Sequence, residues 1–99
     1  FDEDVDRAIE IIREEAEKHP ELIDGRTPEE KAMGEPKIEV RVMPWKSYYF
    51  ELRAKVWSRD HLSGFDLKTD LYKTIPKRFK EEGIKIPLPA QNLSMRNNG

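Results

Sequence analysis

The chain has 99 residues with no cysteine, and 18 Lys and Arg stand against 20 Asp and Glu for a net charge of −2. That length gives room for one compact domain with one core, and the balanced charge provides no global field that would attract nucleic acid or an anionic membrane. The lack of cysteine excludes disulfides and thiolate chemistry, and no apolar run approaches the roughly 20 residues of a membrane-spanning helix.

The first predicted element is an amphipathic helix over residues 5–16. Its apolar residues recur at helical spacing between charged ones: Val5, Ala8, Ile9, Ile11, Ile12 and Ala16. Asp2 and Asp4 lie where an N-cap acceptor is favoured, and Pro20 marks the end. Residues 24–36 mix Gly and Pro with charges and show no apolar period, so we expect an exposed connector that contributes nothing to the core.

Two strands follow the connector. Apolar residues alternate with charged ones in each: Ile38, Val40 and Val42 in the first, and Phe50, Leu52, Ala54 and Val56 in the second. The short break at residues 44–47 makes an antiparallel hairpin the economical connection.

A second amphipathic helix is predicted from Asp66 onward, with an apolar step of four at Leu67, Leu71, Ile75 and Phe79 and a glycine C-cap at Gly83. Pro76 lacks the N–H that would bond to Tyr72, so we expect a kink or a break near Thr74. Ile84 and Ile86 then predict a short strand that Pro87 and Pro89 end. We expect the polar residues 91–99 to fray.

The order helix, strand, strand, helix, strand predicts an α+β fold. With one strand placed in front, it becomes a ferredoxin-like two-layer sandwich, an antiparallel sheet with two helices on one face. That leading strand is missing, so we expect Phe1 to lie inside a domain of a longer protein. We expect residues 1–90 to form the α/β domain and residues 91–99 to form a polar tail.

Several residues resemble catalytic or binding groups. Ser58, Asp60 and His61 are neighbours in sequence, but a catalytic triad requires convergence in space, so a polar turn is the favoured interpretation. Because the glycines lack phosphate-loop spacing and the only two histidines, His19 and His61, are far apart, we predict no catalytic, cofactor or metal residues. Other charged groups are interpreted as solvated helix faces: Glu14, Glu15, Glu81 and Glu82, and the basic cluster Lys73, Lys77, Arg78 and Lys80.

An aromatic segment, Tyr48, Tyr49 and Phe50 after Lys46, resembles the base-stacking platform of RNA-binding domains. Register places Phe50 in the core and leaves Tyr49 on the outer face, where Trp57 also falls. We favour a subunit contact over base stacking for this strip, because the chain is not basic.

Three segments together resemble the C-terminal region of the MscS family of mechanosensitive channels. Residues 79–89 read FKEEGIKIPLP and are similar to the end of the family's cytosolic domain, where a helix stops at Gly-Ile and Ile-Pro, an apolar residue and Pro follow. Residues 49–57 are similar to the strand before that helix, and residues 2–9 to the family's first helix.

The resemblance implies a cytosolic vestibule domain of a homoheptameric, tension-gated channel that releases solutes and ions during osmotic downshock. It implies a cell-membrane protein with this domain on the cytoplasmic side and transmembrane spans upstream of Phe1. The residues themselves predict no enzyme activity, no cofactor and no nucleic-acid partner. The alternative is a stand-alone ferredoxin-like interaction or RNA-binding module, which predicts salt-dependent RNA binding that is lost on Tyr49→Ala. A small acyl-phosphate hydrolase of similar topology ranks third, because the sequence offers no anion-binding loop.

Overall fold

The computed structural model describes the backbone of residues 3–45, 49–84 and 91–97, and the side chains of residues 4–44 and 51–84. Over these residues the chain forms three helices and four strands. In chain order they are α1 (Glu3–Lys18), β1 (Leu22–Ile23), α2 (Pro28–Ala32), β2 (Glu39–Trp45), β3 (Tyr49–Ser58), α3 (His61–Glu81) and β4 (Gln91–Asn97).

β3 is the centre of the sheet and pairs with each of the other strands. It runs antiparallel to β2, from Glu39 opposite Lys55 to Trp45 opposite Tyr49, which confirms the predicted hairpin. The two-residue β1 also pairs antiparallel with β3, at Trp57 and Ser58. The fold is therefore α+β, consistent with a ferredoxin-like sandwich that lacks a strand.

β4 was not predicted. Residues 91–97 pair in parallel with residues 52–58 of β3, so the expectation that this polar segment frays is wrong, and the sheet is not wholly antiparallel. The physical reason is that β3 offers a second row of backbone N–H and C=O groups, and a polar sequence satisfies them as well as an apolar one. The division between residues 1–90 and residues 91–99 stays a prediction.

The core lies between the sheet and one helical layer made of α1 and α3. Its buried apolar residues all belong to the set that the periodicity predicted: Val5, Ala8, Ile11, Ile12, Ala16, Ile38, Leu52, Ala54, Val56, Leu67, Leu71, Ile75 and Phe79. Each large side chain so buried contributes about 1.5–3 kcal/mol relative to exposure. The prediction of two helices on one face of the sheet is confirmed.

α3 begins at His61, five residues before the predicted start. The Asp60 carboxylate accepts a hydrogen bond from the Ser63 N–H at 2.8 Å and caps the helix. The helix continues through Pro76 to Glu81, so the alternative of a break near Thr74 is wrong. Ile75 and Phe79, on either side of the proline, are both buried and hold the helix to the core, while the proline itself is exposed.

The end of α3 follows the prediction at Gly83. This residue has a φ of +70°, and the following Ile84 N–H donates to the Phe79 carbonyl at 2.8 Å, which is a glycine C-cap of the Schellman type. Ile84 packs against the core but is not in a strand. The rest of the predicted strand, with Ile86, Pro87 and Pro89, lies outside the described residues.

The connector contains a short helix, α2, that was not predicted. A capping box starts α2: the Thr27 N–H donates to Glu30 Oε1 at 2.8 Å, and the Glu30 N–H donates to Thr27 Oγ1 at 3.1 Å. α2 has no buried residue, as expected of a segment outside the core. The segment before it crosses the sheet face opposite the helices, where Gly25 lies directly against the Trp57 ring.

Candidate functional site

The predicted polar turn at the end of β3 carries no converged catalytic group. Ser58 is fully buried, and its hydroxyl donates to the Asp60 carbonyl at 3.1 Å. The Asp60 carboxylate caps α3, and its bonds to Ser63 lower the pKa of the carboxyl. His61 is exposed at the start of the helix. The three residues therefore serve to start α3 and do not form a triad.

The acidic residues on α1 and the end of α3 form an ion-pair network with two arginines. Arg78 contacts Glu15 at 2.7 Å, Glu14 at 2.9 Å and Glu82 at 2.6 Å. Arg7 contacts Glu82 at 2.7 Å from the other side and reaches Glu14 at 3.3 Å. Glu14 and Glu82 are exposed, as expected of a solvated helix face, and Glu15 is half-buried. The pairing of these glutamates with Arg78, which joins the two helices, was not predicted.

The network changes the titration of its members. Bonds from Arg78 lower the pKa of Glu14, and bonds from Arg7 and then Arg78 lower the pKa of Glu82. For Glu15, burial raises the pKa but the bonds from Lys18 and Arg78 outweigh it, so the net pKa is lowered. The same contacts, with Glu82 first, raise the pKa of both arginines. Because Arg78 is paired with three glutamates, it does not add free positive charge to the basic cluster Lys73, Lys77, Arg78 and Lys80.

A second contact ties the end of α1 to α3. His19 Nε2 lies 2.7 Å from Asp70 Oδ2, and His19 Nδ1 accepts a hydrogen bond from the Glu21 N–H at 3.1 Å. This pattern fits the neutral tautomer with its proton on Nε2. Within the parts of the chain that the structure describes, no group of three or more metal-ligating side chains is positioned to hold an ion.

An open cleft of about 520 Å³ lies between the connector and the outer face of the sheet. Its charged side chains are largely paired: Arg26 contacts Asp24 at 2.8 Å, and Lys55 lies 3.6 Å from Glu39. Arg13, also in the wall, donates to the Ile38 carbonyl at 3.0 Å. These contacts leave little unpaired positive charge for an anionic ligand.

Trp57 lies in the wall of this cleft and is half-buried beneath the connector, because the Gly25 backbone covers its ring. It is therefore not part of an exposed aromatic strip. Tyr48 and the side chains of Tyr49 and Phe50 lie outside the described residues. The predicted subunit contact through this strip stays a prediction for Tyr49 alone.

The outer side of α3 exposes large apolar side chains. Leu62 is 73% exposed, Phe65 is 68% exposed and Tyr72 is 44% exposed. The Lys68 ammonium lies 5.8 Å from the centre of the Tyr72 ring. This face was not predicted, because the predicted helix began at Asp66, after Leu62 and Phe65. None of the helices in the described part of the chain is both long and apolar enough to cross a membrane.

The described residues thus define a small α+β domain with an ion-pair network between its helices and an apolar face on α3. Its identity follows from a comparison with known families. The family model described as Mechanosensitive ion channel MscS, C-terminal, matches residues 1–86. This chain belongs to that family, as the three sequence segments indicated. No curated protein and no solved structure matches it.

Proposed function

We propose that this domain is the cytosolic C-terminal part of a tension-gated channel subunit, and that it forms part of a vestibule below the pore. The observation that carries the proposal is the family match over residues 1–86, in a family of channels rather than enzymes. In this proposal the full-length protein is a homoheptamer in the cell membrane, with this domain on the cytoplasmic side. It releases solutes and ions during osmotic downshock.

The paired surface charges support a vestibule role. The network around Arg7 and Arg78 and the cleft around Arg26 and Lys55 place opposite charges within a few ångströms of one another. Such a surface is strongly hydrated but projects little net field beyond a Debye length of about 8 Å at physiological salt. A wall of this kind admits ions of either sign as well as neutral solutes.

The anchoring of α1 to α3 supports a rigid wall. Arg78 on α3 bonds to two residues of α1, and His19 bonds to Asp70 at the other end of the same pair of helices. Together with the shared core, these contacts fix the helical layer at two separated points. A wall that keeps its shape is suited to a chamber through which solutes flow.

The test uses the full-length protein that contains this chain, expressed in a bacterial strain that lacks mechanosensitive channels. We expect it to restore survival after osmotic downshock and to give pressure-activated currents in excised membrane patches. The empty vector is the control. A protein that reaches the membrane but gives neither survival nor currents would contradict the proposal.

No observation on the described residues favours the RNA-binding alternative. Trp57 is covered by Gly25, and the lysines of α3 are interspersed with Asp66 and Asp70 rather than forming a groove. The hydrolase alternative has no support either, because the described loops provide no converged anion site with a nucleophile.

A further inference from the structure

We propose that the outer face of α3 docks on the α2 corner of a second copy of this chain. The outer face of α3 is defined by Leu62, Phe65 and Tyr72 with Lys68 and Lys73 beside them. The α2 corner is defined by Met33 with Glu29, Glu30 and Glu35. The inference rests on the proposed homo-oligomer and specifies which surfaces build it.

The apolar residues of the α3 face lie on one side of the helix. Leu62, Phe65 and Tyr72 are separated by three and seven residues, which places them on one stripe, opposite the buried Leu67 and Leu71. Single exposed apolar residues are normal, whereas a cluster on one face marks a contact surface. Of the exposed large hydrophobic residues in the described chain, the one outside α3 is Met33, at 77% exposure.

The charges around the two apolar sites are complementary. Lys68 and Lys73 are exposed on α3 and form no ion pair with any described residue, and Lys77 and Lys80 continue this pattern. Asp66 and Asp70 lie on the same flank as Lys73 and Lys77, and the Asp70 carboxylate contacts His19. The four lysines therefore outnumber the two aspartates on the outer side of α3.

At the α2 corner, Glu29 and Glu35 are exposed and likewise make no ion pair within the described residues. Met33 follows the last residue of α2 and lies between them in sequence. Lys31 is the one cation of this helix, and Arg26, which donates to the Glu35 carbonyl at 2.9 Å, is already paired with Asp24. Acidic side chains therefore outnumber the unpaired cations at this corner. An apolar site with basic neighbours therefore faces an apolar site with acidic neighbours when two copies meet, which favours this orientation over its alternatives.

The two surfaces lie on different sides of the domain. α3 belongs to the helical layer, whereas the connector that carries α2 covers the opposite face of the sheet, where Gly25 contacts Trp57. A contact between two different surfaces is heterologous, and each copy then keeps one surface free for the next copy. A heterologous contact closes a ring when its rotation divides a full turn evenly, and a closed ring is what the proposed oligomer requires.

Paired cysteines in the full-length oligomer test the contact, since these 99 residues contain no cysteine and any others in the protein can be replaced. We expect the double variant Phe65→Cys with Met33→Cys, oxidised in membranes, to give a ladder of covalent species beyond the dimer on a non-reducing gel. Each single variant should remain monomeric. Phe65→Cys with Asp6→Cys, which places the second thiol on the exposed side of α1, is the matched control and should give no ladder.

A dimer formed by Phe65→Cys alone would overturn the proposal, because it would show that α3 faces α3 across a two-fold axis. Absence of the ladder in the double variant would also overturn it, since another protein or another segment of the same subunit would then cover the face. Lys73→Glu in the double-cysteine background should lower the ladder yield several-fold, and Glu29→Lys added to it should restore the yield. An unchanged yield in Lys73→Glu would contradict the opposite-charge contact.

The outcomes separate this inference from the proposed function. Pressure-activated currents without the ladder would remove the α3–α2 contact and leave the channel function in place. The ladder without currents would remove the channel function and leave the α3–α2 contact in place.

Discussion

Gly25 is the residue at which the connector meets the sheet. A methyl group in place of its hydrogen would lie 2.2 Å from the Trp57 ring, well inside van der Waals contact. The ring is held between the connector and the sheet, so relief requires the backbone of the connector to move. The glycine is therefore needed for its lack of a side chain and not for its backbone angles.

We expect Gly25→Ala to lower the free energy of unfolding by about 1–3 kcal/mol, the usual range for an overpacked site. Urea denaturation measures the change. Trp57→Ala combined with Gly25→Ala is the control, because it removes the ring that the new methyl group would meet. If Gly25→Ala is as costly in the Trp57→Ala background as alone, the close contact is not the cause.

At the scale of the elements, the pair α1 and α3 is joined by the arginine network. Glu14, Glu15 and Glu82 have pKa values below the ordinary 4.5 for a glutamate in the folded chain. The folded state then binds fewer protons than the unfolded state in this range, so stability from these carboxylates is present above about pH 4.5 and is lost as the pH falls through their folded pKa values.

We expect Arg78→Ala to lower the free energy of unfolding at neutral pH, since three carboxylates lose a partner at once. Between about pH 5 and about pH 3, the range in which glutamates ordinarily titrate, the variant should also lose less stability than the natural sequence. Lys77→Ala, an exposed lysine of the same helix without an ion pair, should change stability by less than about 0.5 kcal/mol. Equal effects of the two substitutions would contradict the network.

Pro76 lies within α3, where it cannot donate a backbone hydrogen bond to Tyr72. Because the residue is exposed and the helix continues through it, alanine should fit without a clash. We expect Pro76→Ala to raise the free energy of unfolding by about 1–3 kcal/mol, as measured by thermal or urea denaturation. A loss of stability would instead show that the packing of Ile75 and Phe79 depends on a bend at the proline.

The sequence was most informative where packing and periodicity agree. Most residues of α1, β3 and the second half of α3 follow the burial that their spacing predicts, whereas Ile9, Val40 and Val42 are only partly buried. The start of α3 was missed because Ser63 and Gly64 are buried while Leu62 and Phe65 are exposed, which inverts the usual pattern. α2 was missed although Thr27, Pro28 and Glu30 form a recognisable capping signature.

The contacts of the arginine network between α1 and α3 could not be predicted from sequence, because those partners lie more than sixty residues apart and each arginine has several glutamates within reach. Ser58, Asp60 and His61 were interpreted as a polar turn, and in the structure the Ser58 hydroxyl donates to the Asp60 carbonyl while the Asp60 carboxylate caps α3. The α3 face was not predicted, because exposure depends on which side of a helix meets the core.

At the scale of the whole molecule, β4 completes the sheet by pairing along residues 52–58 of β3. The buried apolar side chains that the structure describes lie between Val5 and Phe79 and come from elements that precede β4. We expect a chain ending at residue 90 to keep its circular dichroism spectrum in the helical region but to lose hydrogen-exchange protection at the β3 amides that face β4. The β3 amides that face β2 are the internal control. Unchanged protection on both sides of β3 would contradict the pairing.

The pairing of β3 has a further consequence for the order of folding. β2 ends at Trp45 and its partner β3 begins at Tyr49, whereas Leu52 and its β4 partner Gln91 are thirty-nine residues apart in the chain. Closing a longer loop costs more chain entropy, so contacts between distant segments form later. In pulse-labelled refolding we expect the hairpin and its helices to become protected first and the parallel pair to close last. For that interval the central strand of this domain has a free edge, and its protection against pairing with other chains depends on how quickly its own last strand arrives.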